Sequence, residues 1–182
     1  MVTLYSYLQP YKWNNYIGKN ITIGENNIFY DLTKAEIDTA EQKLQMQFPN
    51  QLRQFYQEIG YGHLTNSKDD KEHHYISNEI LPPLIAVDYM QGIIEHPGEE
   101  YYMSASTYED LQPGDLPFFE IGDSSSFMVM KLNSDNPNAV YSDCGVKIED
   151  SFERFIYRLY HEDPAYYGDI IDAHYAALKD NV

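Results

Sequence analysis

The residues that could do chemistry in this chain fall into a few short clusters. Glu72-His73-His74 is the nearest approach to a metal-binding group, but adjacent histidines point to opposite faces of a strand and diverge by about 100 degrees on a helix. A zinc-binding helix sets its two histidines four apart, so His73 and His74 read as surface residues of a charged loop and no metal is expected. Gly122-Asp123-Ser124 places a hydroxyl after a glycine, yet no glycine stands two residues beyond Ser124, Ser125 or Ser126. The strained elbow that exposes a catalytic serine is therefore missing, and a hairpin turn explains the segment better. Cys144 follows Asp143, and a neighbouring carboxylate works against the thiolate that nucleophilic use requires; this cysteine is expected as half-buried filler. Gly18-Lys19 lacks the upstream glycine and the following hydroxyl of a phosphate-binding loop. Carboxylate pairs occur at Asp69-Asp70, Glu99-Glu100, Glu109-Asp110 and Glu149-Asp150, too many for each to be an acid/base pair. No catalytic residue, metal or cofactor is assigned, and the chain is expected not to be an enzyme.

Surface chemistry is the stronger signal. Twenty-nine acidic residues against twelve basic ones give a formal charge of -17, a field that repels phosphate backbones and anionic lipid and attracts basic proteins. Nucleic acid and membrane are thereby excluded as expected ligands. Eighteen tyrosines are about three times the usual share, and tyrosine supplies large rigid contact area with a polar tip. Glu99-Glu100-Tyr101-Tyr102 combines two acids with two aromatics after the turn-former Pro97-Gly98, and it leads into a Glu109-Asp110 loop. Glu99, Glu100, Tyr101, Tyr102, Glu109 and Asp110 are the expected partner-binding residues, an aromatic anchor within an acidic rim.

The elements that must carry this surface can be read from capping and periodicity. At 182 residues with 43% hydrophobic and 23% charged residues, the chain is expected to fold as one domain, 1–182, with its own core. Cys144 as sole cysteine excludes an intrachain disulfide framework, and the N-terminus lacks the basic and apolar regions of a secretory signal; a cytoplasmic protein is expected. Thr33 with Glu36 three residues later predicts a capped helix over 34–45 whose stripe includes Ile37, Ala40 and Leu44. Phe48-Pro49-Asn50 restarts the chain into a second helix with Leu52, Phe55, Tyr56 and Ile59 on its apolar face. Gly60 ends it, and Gly60 and Gly62 predict a sharp turn with positive φ. Residues 66–72 read as an exposed loop.

From Tyr75 onward the texture predicts strands and turns. The firmest strands are 116–121 and 127–132, joined as a hairpin, with more strand at 139–142 and 146–148 in a small antiparallel sheet. Phe127 to Leu132 is apolar on both alternating faces, as a central strand covered on both sides must be. Asp150 or Ser151 caps a helix bearing Phe152, Phe155, Ile156 and Leu159, and Asp163-Pro164 breaks it. Tyr167, Ile170, Ile171, His174 and Leu178 then predict an amphipathic helix that docks rather than a tail that dangles. Near the N-terminus, 4–13 reads as helix and 19–23 as strand.

The order of these pieces resembles the SUKH superfamily. Leu32-Thr33-Lys34-Ala35-Glu36-Ile37 and Phe48-Pro49-Asn50-Gln51-Leu52, followed by Gly60, are similar to its opening capped helix, hydrophobic-proline step, second helix and glycine-bearing turn. Leu116-Pro117-Phe118-Phe119-Glu120-Ile121-Gly122-Asp123 resembles its proline-led strand, and Val140 to Asp143 with Ser151-Phe152-Glu153-Arg154-Phe155-Ile156 its closing strand and Ser-Phe helix. The match covers about 32–159, flanked by an N-terminal extension and a C-terminal helix, and departs where an Asn-Gly-Gly type turn is replaced by Ile59-Gly60-Tyr61-Gly62. It implies a single α+β domain, a mostly antiparallel sheet flanked by N-terminal and C-terminal helices. It also implies a binding function, either as a bacterial immunity protein (antitoxin) that neutralises a basic toxin domain, often a nuclease, or as a regulatory or scaffold module like fungal cell-wall assembly regulators.

Overall fold

The computed structural model describes residues 4–16, 27–65, 77–96, 101–122 and 126–179. After two short 3-10 segments, Ser6–Tyr11 and Trp13–Asn15, come strand β1 (Ile28–Tyr30), helices α1 (Lys34–Leu44) and α2 (Asn50–Glu58), and strands β2 (Tyr61–Thr65) and β3 (Ser77–Ile80). Helices α3 (Pro83–Met90) and α4 (Ala105–Asp110) follow, then strands β4 (Asp115–Ile121), β5 (Ser126–Lys131), β6 (Val140–Ser142) and β7 (Lys147–Glu149). Helices α5 (Phe152–His161) and α6 (Tyr167–Lys179) complete the α+β fold.

Helix α1 starts where its capping box places it. The Glu36 amide donates to Thr33 Oγ1 at 3.3 Å and the Thr33 amide donates to Glu36 Oε2 at 2.7 Å, so two otherwise unpartnered amides satisfy one another's residues. Those hydrogen bonds, side chain first and then backbone, hold the Glu36 carboxyl below its ordinary pKa. Ile37, Ala40 and Leu44 are buried as the stripe predicts, and the helix stops one residue short of the expected end because Gln45 takes a left-handed conformation. Helix α2 begins directly after Pro49 and buries Leu52, Phe55 and Tyr56. Gly60 has φ 105°, and a Cβ there would lie 1.8 Å from the Tyr30 carbonyl oxygen, so β1 and the end of α2 can approach only at a glycine.

Among the described residues seven strands form one antiparallel sheet in sequence order, β1 to β7, a meander. Antiparallel neighbours need no crossover, and the two long connections, β1 to β2 and β3 to β4, carry helices α1–α2 and α3–α4. Pro117 lacks an amide for the ladder and sits where the β4–β5 register shifts between Pro117 and Phe119, which is how a proline is accommodated inside a sheet. Strand β5 lies between β4 and β6 with Phe127, Met128, Val129 and Met130 fully buried, the central strand that its sequence predicts. One face packs on helices α2 and α5 through a chain of edge-to-face rings, Phe55–Phe152 at 5.4 Å, Phe118–Phe152 at 5.4 Å and Phe119–Phe155 at 5.1 Å. Such pairs add about 0.5–1.5 kcal/mol each beyond their burial. Ser151 is the α5 cap, its hydroxyl accepting the Arg154 amide at 3.2 Å.

Several elements depart from expectation. The strand-and-turn texture after Tyr75 conceals helices α3 and α4. Helix α3 buries Pro83, Ile85, Ala86, Val87, Asp88 and Tyr89, so it is apolar almost all round and offers no amphipathic period to read; α4 is a short helix capped by Ser104 where the Glu109-Asp110 segment reads as loop. The N-terminal 4–13 segment is helical, but of the 3-10 type. Helix α6 forms and docks as expected, mainly through its first turns, where Tyr167 is buried and Ile170 and Ile171 are half-buried, while His174 and Leu178 are exposed. Cys144 is exposed rather than half-buried. The expected strand 19–23, the loop 66–72 and the hairpin residues Asp123 to Ser125 lie outside the described residues.

Candidate protein-docking surface

His73 and His74 lie outside the described residues, and among the described residues no group of three or more His, Cys, Asp and Glu side chains is placed to hold a metal ion. The Cys144 thiol shares a hydrogen bond with Tyr175 that favours ionisation, but partial burial and the charges of Asp143 and Asp110 outweigh it and raise the thiol's pKa. A cysteine so placed is held away from the reactive thiolate. Among the described residues no helix is long and apolar enough to cross a membrane.

The expected binding residues divide when placed on the fold. Tyr101 turns inward, half-buried against the core, and its hydroxyl donates to Glu79 Oε1 on β3 at 2.8 Å. Tyr102 turns outward with 55% of its surface exposed, held by an isolated antiparallel bridge to Glu95. In this extended segment neighbours point to opposite sides, so one tyrosine secures the segment and the other is presented. Glu109 and Asp110 are exposed on the last turn of α4, with Tyr108 exposed beside them. Glu99 and Glu100 lie outside the described residues.

Residues remote in sequence complete this surface. Asp110 lines a groove of about 400 Å³ with Gln112, Asp115, Asp143, Cys144 and Gly145. Two of its aspartates are fixed by backbone amides: Asp143 accepts from Phe127 at 3.0 Å and from Cys144 at 2.8 Å, and Asp115 accepts from Gln112 at 3.1 Å. Their charges are therefore held in place at the groove without moving to meet a ligand. Tyr175 of α6 reaches the same turn through Cys144, and the carboxylates of Asp143 and Asp110 join that contact in raising its phenol pKa. Sequence reading does not bring α6 and the β6–β7 turn to α4, because only the packing of the meander does so.

The surrounding charge is of one sign. From Glu72 to Met130 the sequence carries eleven carboxylates and neither lysine nor arginine. Most of the paired cations lie outside this stretch and pair outside it, Lys34 with Asp38, Arg53 with Glu41, and Arg154 and Arg158 with the buried Glu149, while Lys43 of α1 reaches into it to pair with Asp88. Arg158 also binds Glu162 at 2.7 Å and stacks over the Tyr166 ring at 3.8 Å. Pairing thus uses cations mainly on α1, α2 and α5, while the stretch from Glu72 to Met130 keeps an excess of carboxylates in sequence.

A capped helix, a hydrophobic-proline step, a second helix, a glycine turn, an antiparallel meander and a closing Ser-Phe helix make this an α+β domain of the SUKH type. The chain belongs to the SMI1 / KNR4 family (SUKH-1), whose model matches residues 31–158. It is similar to "Immunity protein YxxD" of Bacillus subtilis (strain 168), 30% identical over 158 residues that make up 87% of this chain and 97% of that protein. No solved structure matches the chain.

Proposed function

We propose that the protein is a non-catalytic immunity protein of the cytoplasm that binds a basic toxin domain and neutralises it by occlusion. The observation that carries this reading is the likeness to an immunity protein along nearly the whole of both chains. The surface supports the kind of partner. A toxin domain that grips a phosphate backbone, such as a nuclease, presents a cationic cleft, and a rim of fixed carboxylates competes for that cleft as the substrate's phosphates do. Tyr102, Tyr108, Glu109 and Asp110 provide exposed rings beside exposed acids, the combination that anchors an interface and excludes water around its charged pairs. Tyr101 belongs to the site as the residue that secures Tyr102, through Glu79.

The test is co-expression with the protein encoded by the adjacent reading frame. The neighbour expressed alone should arrest growth, and this chain should restore growth and co-purify with it. A neighbour that is harmless or unbound contradicts the immunity reading; one that binds without being toxic points instead to a regulatory or scaffold module of the same fold.

A further inference from the structure

Helix α6 is longer than the body it packs on. Its base is fixed: the Tyr167 hydroxyl donates to Asn78 Oδ1 at 2.9 Å, the Asn78 amide donates to the Pro164 carbonyl at 2.8 Å, and the Tyr167 ring meets Phe119 at 6.5 Å. Tyr167, Ile170 and Ile171 use the apolar stripe for docking, but from Asp172 to Lys179 every residue is exposed. The same stripe therefore continues past the core, leaving Leu178 at 51% and the flanking Tyr175 at 42% exposure. A helix fixed at one end by buried hydrogen bonds and presenting large apolar side chains at the other has the form of an interface element rather than a solvated terminus. Tyr175 meets Cys144 beside Asp143 and Asp110, so the overhang is continuous with the acidic groove. Lys179 is the sole cation of α6, against Asp169 and Asp172.

We infer that the distal half of α6, through Tyr175 and Leu178, forms one wall of the surface that takes the basic toxin domain, with Asp110 and Asp143 opposite. The inference rests on the immunity reading and names its interface. The occupant follows from charge: at -17 a second copy of this chain is repelled, while a cationic domain meets the carboxylates of Asp110 and Asp143 beside an apolar strip. The family match ends at residue 158, so this wall is built from chain outside the shared core.

The experiment uses the full-length chain and the purified domain encoded beside it. Tyr175→Ala combined with Leu178→Ala should weaken binding at least tenfold, mainly through faster dissociation, with thermal unfolding unchanged. Leu84→Ala, at an exposed residue that lines a separate groove with Ala35, Glu36 and Thr39 of α1, should bind as the parent does. Hydrogen exchange of the unaltered protein should show new protection in α6 when the domain is bound, a readout independent of the variants' folding. Full affinity in the double variant with no new protection in α6 overturns the inference while leaving the immunity reading standing; concentration-dependent dimers of the free chain that bury α6 overturn it in favour of self-association. If the unaltered chain fails to bind at all, the immunity reading and this inference fall together.

Discussion

Tyrosine hydroxyls settle two different questions in this molecule, and burial decides which. Tyr56 is wholly buried and donates to the Leu81 carbonyl at 3.0 Å, while Tyr167 donates to Asn78 and is pushed up to about 12 by burial, with the Asn78 bond acting in the opposite sense. Burial likewise raises Tyr5, Tyr89 and Tyr166. A phenol whose folded pKa lies above its unfolded value contributes stability that is complete below about pH 10 and is lost as pH rises through the folded value. The urea midpoint should therefore be steady near about pH 8 and fall above about pH 10, as the unfolding free energy drops by up to about 1.4 kcal/mol per pH unit for each such phenol. A midpoint that stays level to about pH 11 would show that these hydroxyls are not held neutral by the fold. Tyr102, Tyr108, Tyr157 and Tyr175 are the large exposed tyrosines among the described residues, and the first two and the last lie at the proposed surface. Composition alone could not sort one group from the other: Tyr101 and Tyr102 are adjacent, and only their placement against Glu79 and Glu95 separates support from presentation.

Elements with a cap and a one-sided stripe were legible in advance, and those lacking one were not. Helix α1 follows from Thr33 and Glu36, α5 from the residues around Ser151, and β5 from a run apolar on both faces. Helix α3 is buried nearly all round and so erases the period that identifies a helix. The glycine after α2 is the most exacting local requirement. Gly60→Ala forces a left-handed backbone on an L-residue and drives its Cβ into the Tyr30 carbonyl. This should destabilise the protein by about 2 kcal/mol or more, visible as a lowered urea midpoint with an unchanged slope; a loss of only a few tenths would mean that β1 moves away freely. Helix α6 was legible as a docking helix, but burial of its stripe fades after Ile171, and periodicity cannot report where a supporting surface thins.

At the scale of the whole molecule, the net charge matters less than its distribution. Cations pair with acids across α1, α2 and α5, while the chain from Glu72 to Met130 has carboxylates alone. The acidic patch at Glu109 and Asp110 was readable as a string of residues. Its junction with Asp143 and Tyr175 was not, since that depends on a seven-stranded meander bringing a turn and the last helix to α4. Steering by such a face raises the rate of encounter more than it lowers the rate of escape, so the association rate is the quantity to measure. With the toxin domain encoded beside this chain, the rate constant should fall about tenfold or more between about 50 mM and about 500 mM salt. Glu109→Lys combined with Asp110→Lys should slow association at low salt and flatten that dependence. An association rate indifferent both to salt and to the charge reversal would contradict the account of an acidic surface built to receive a basic partner.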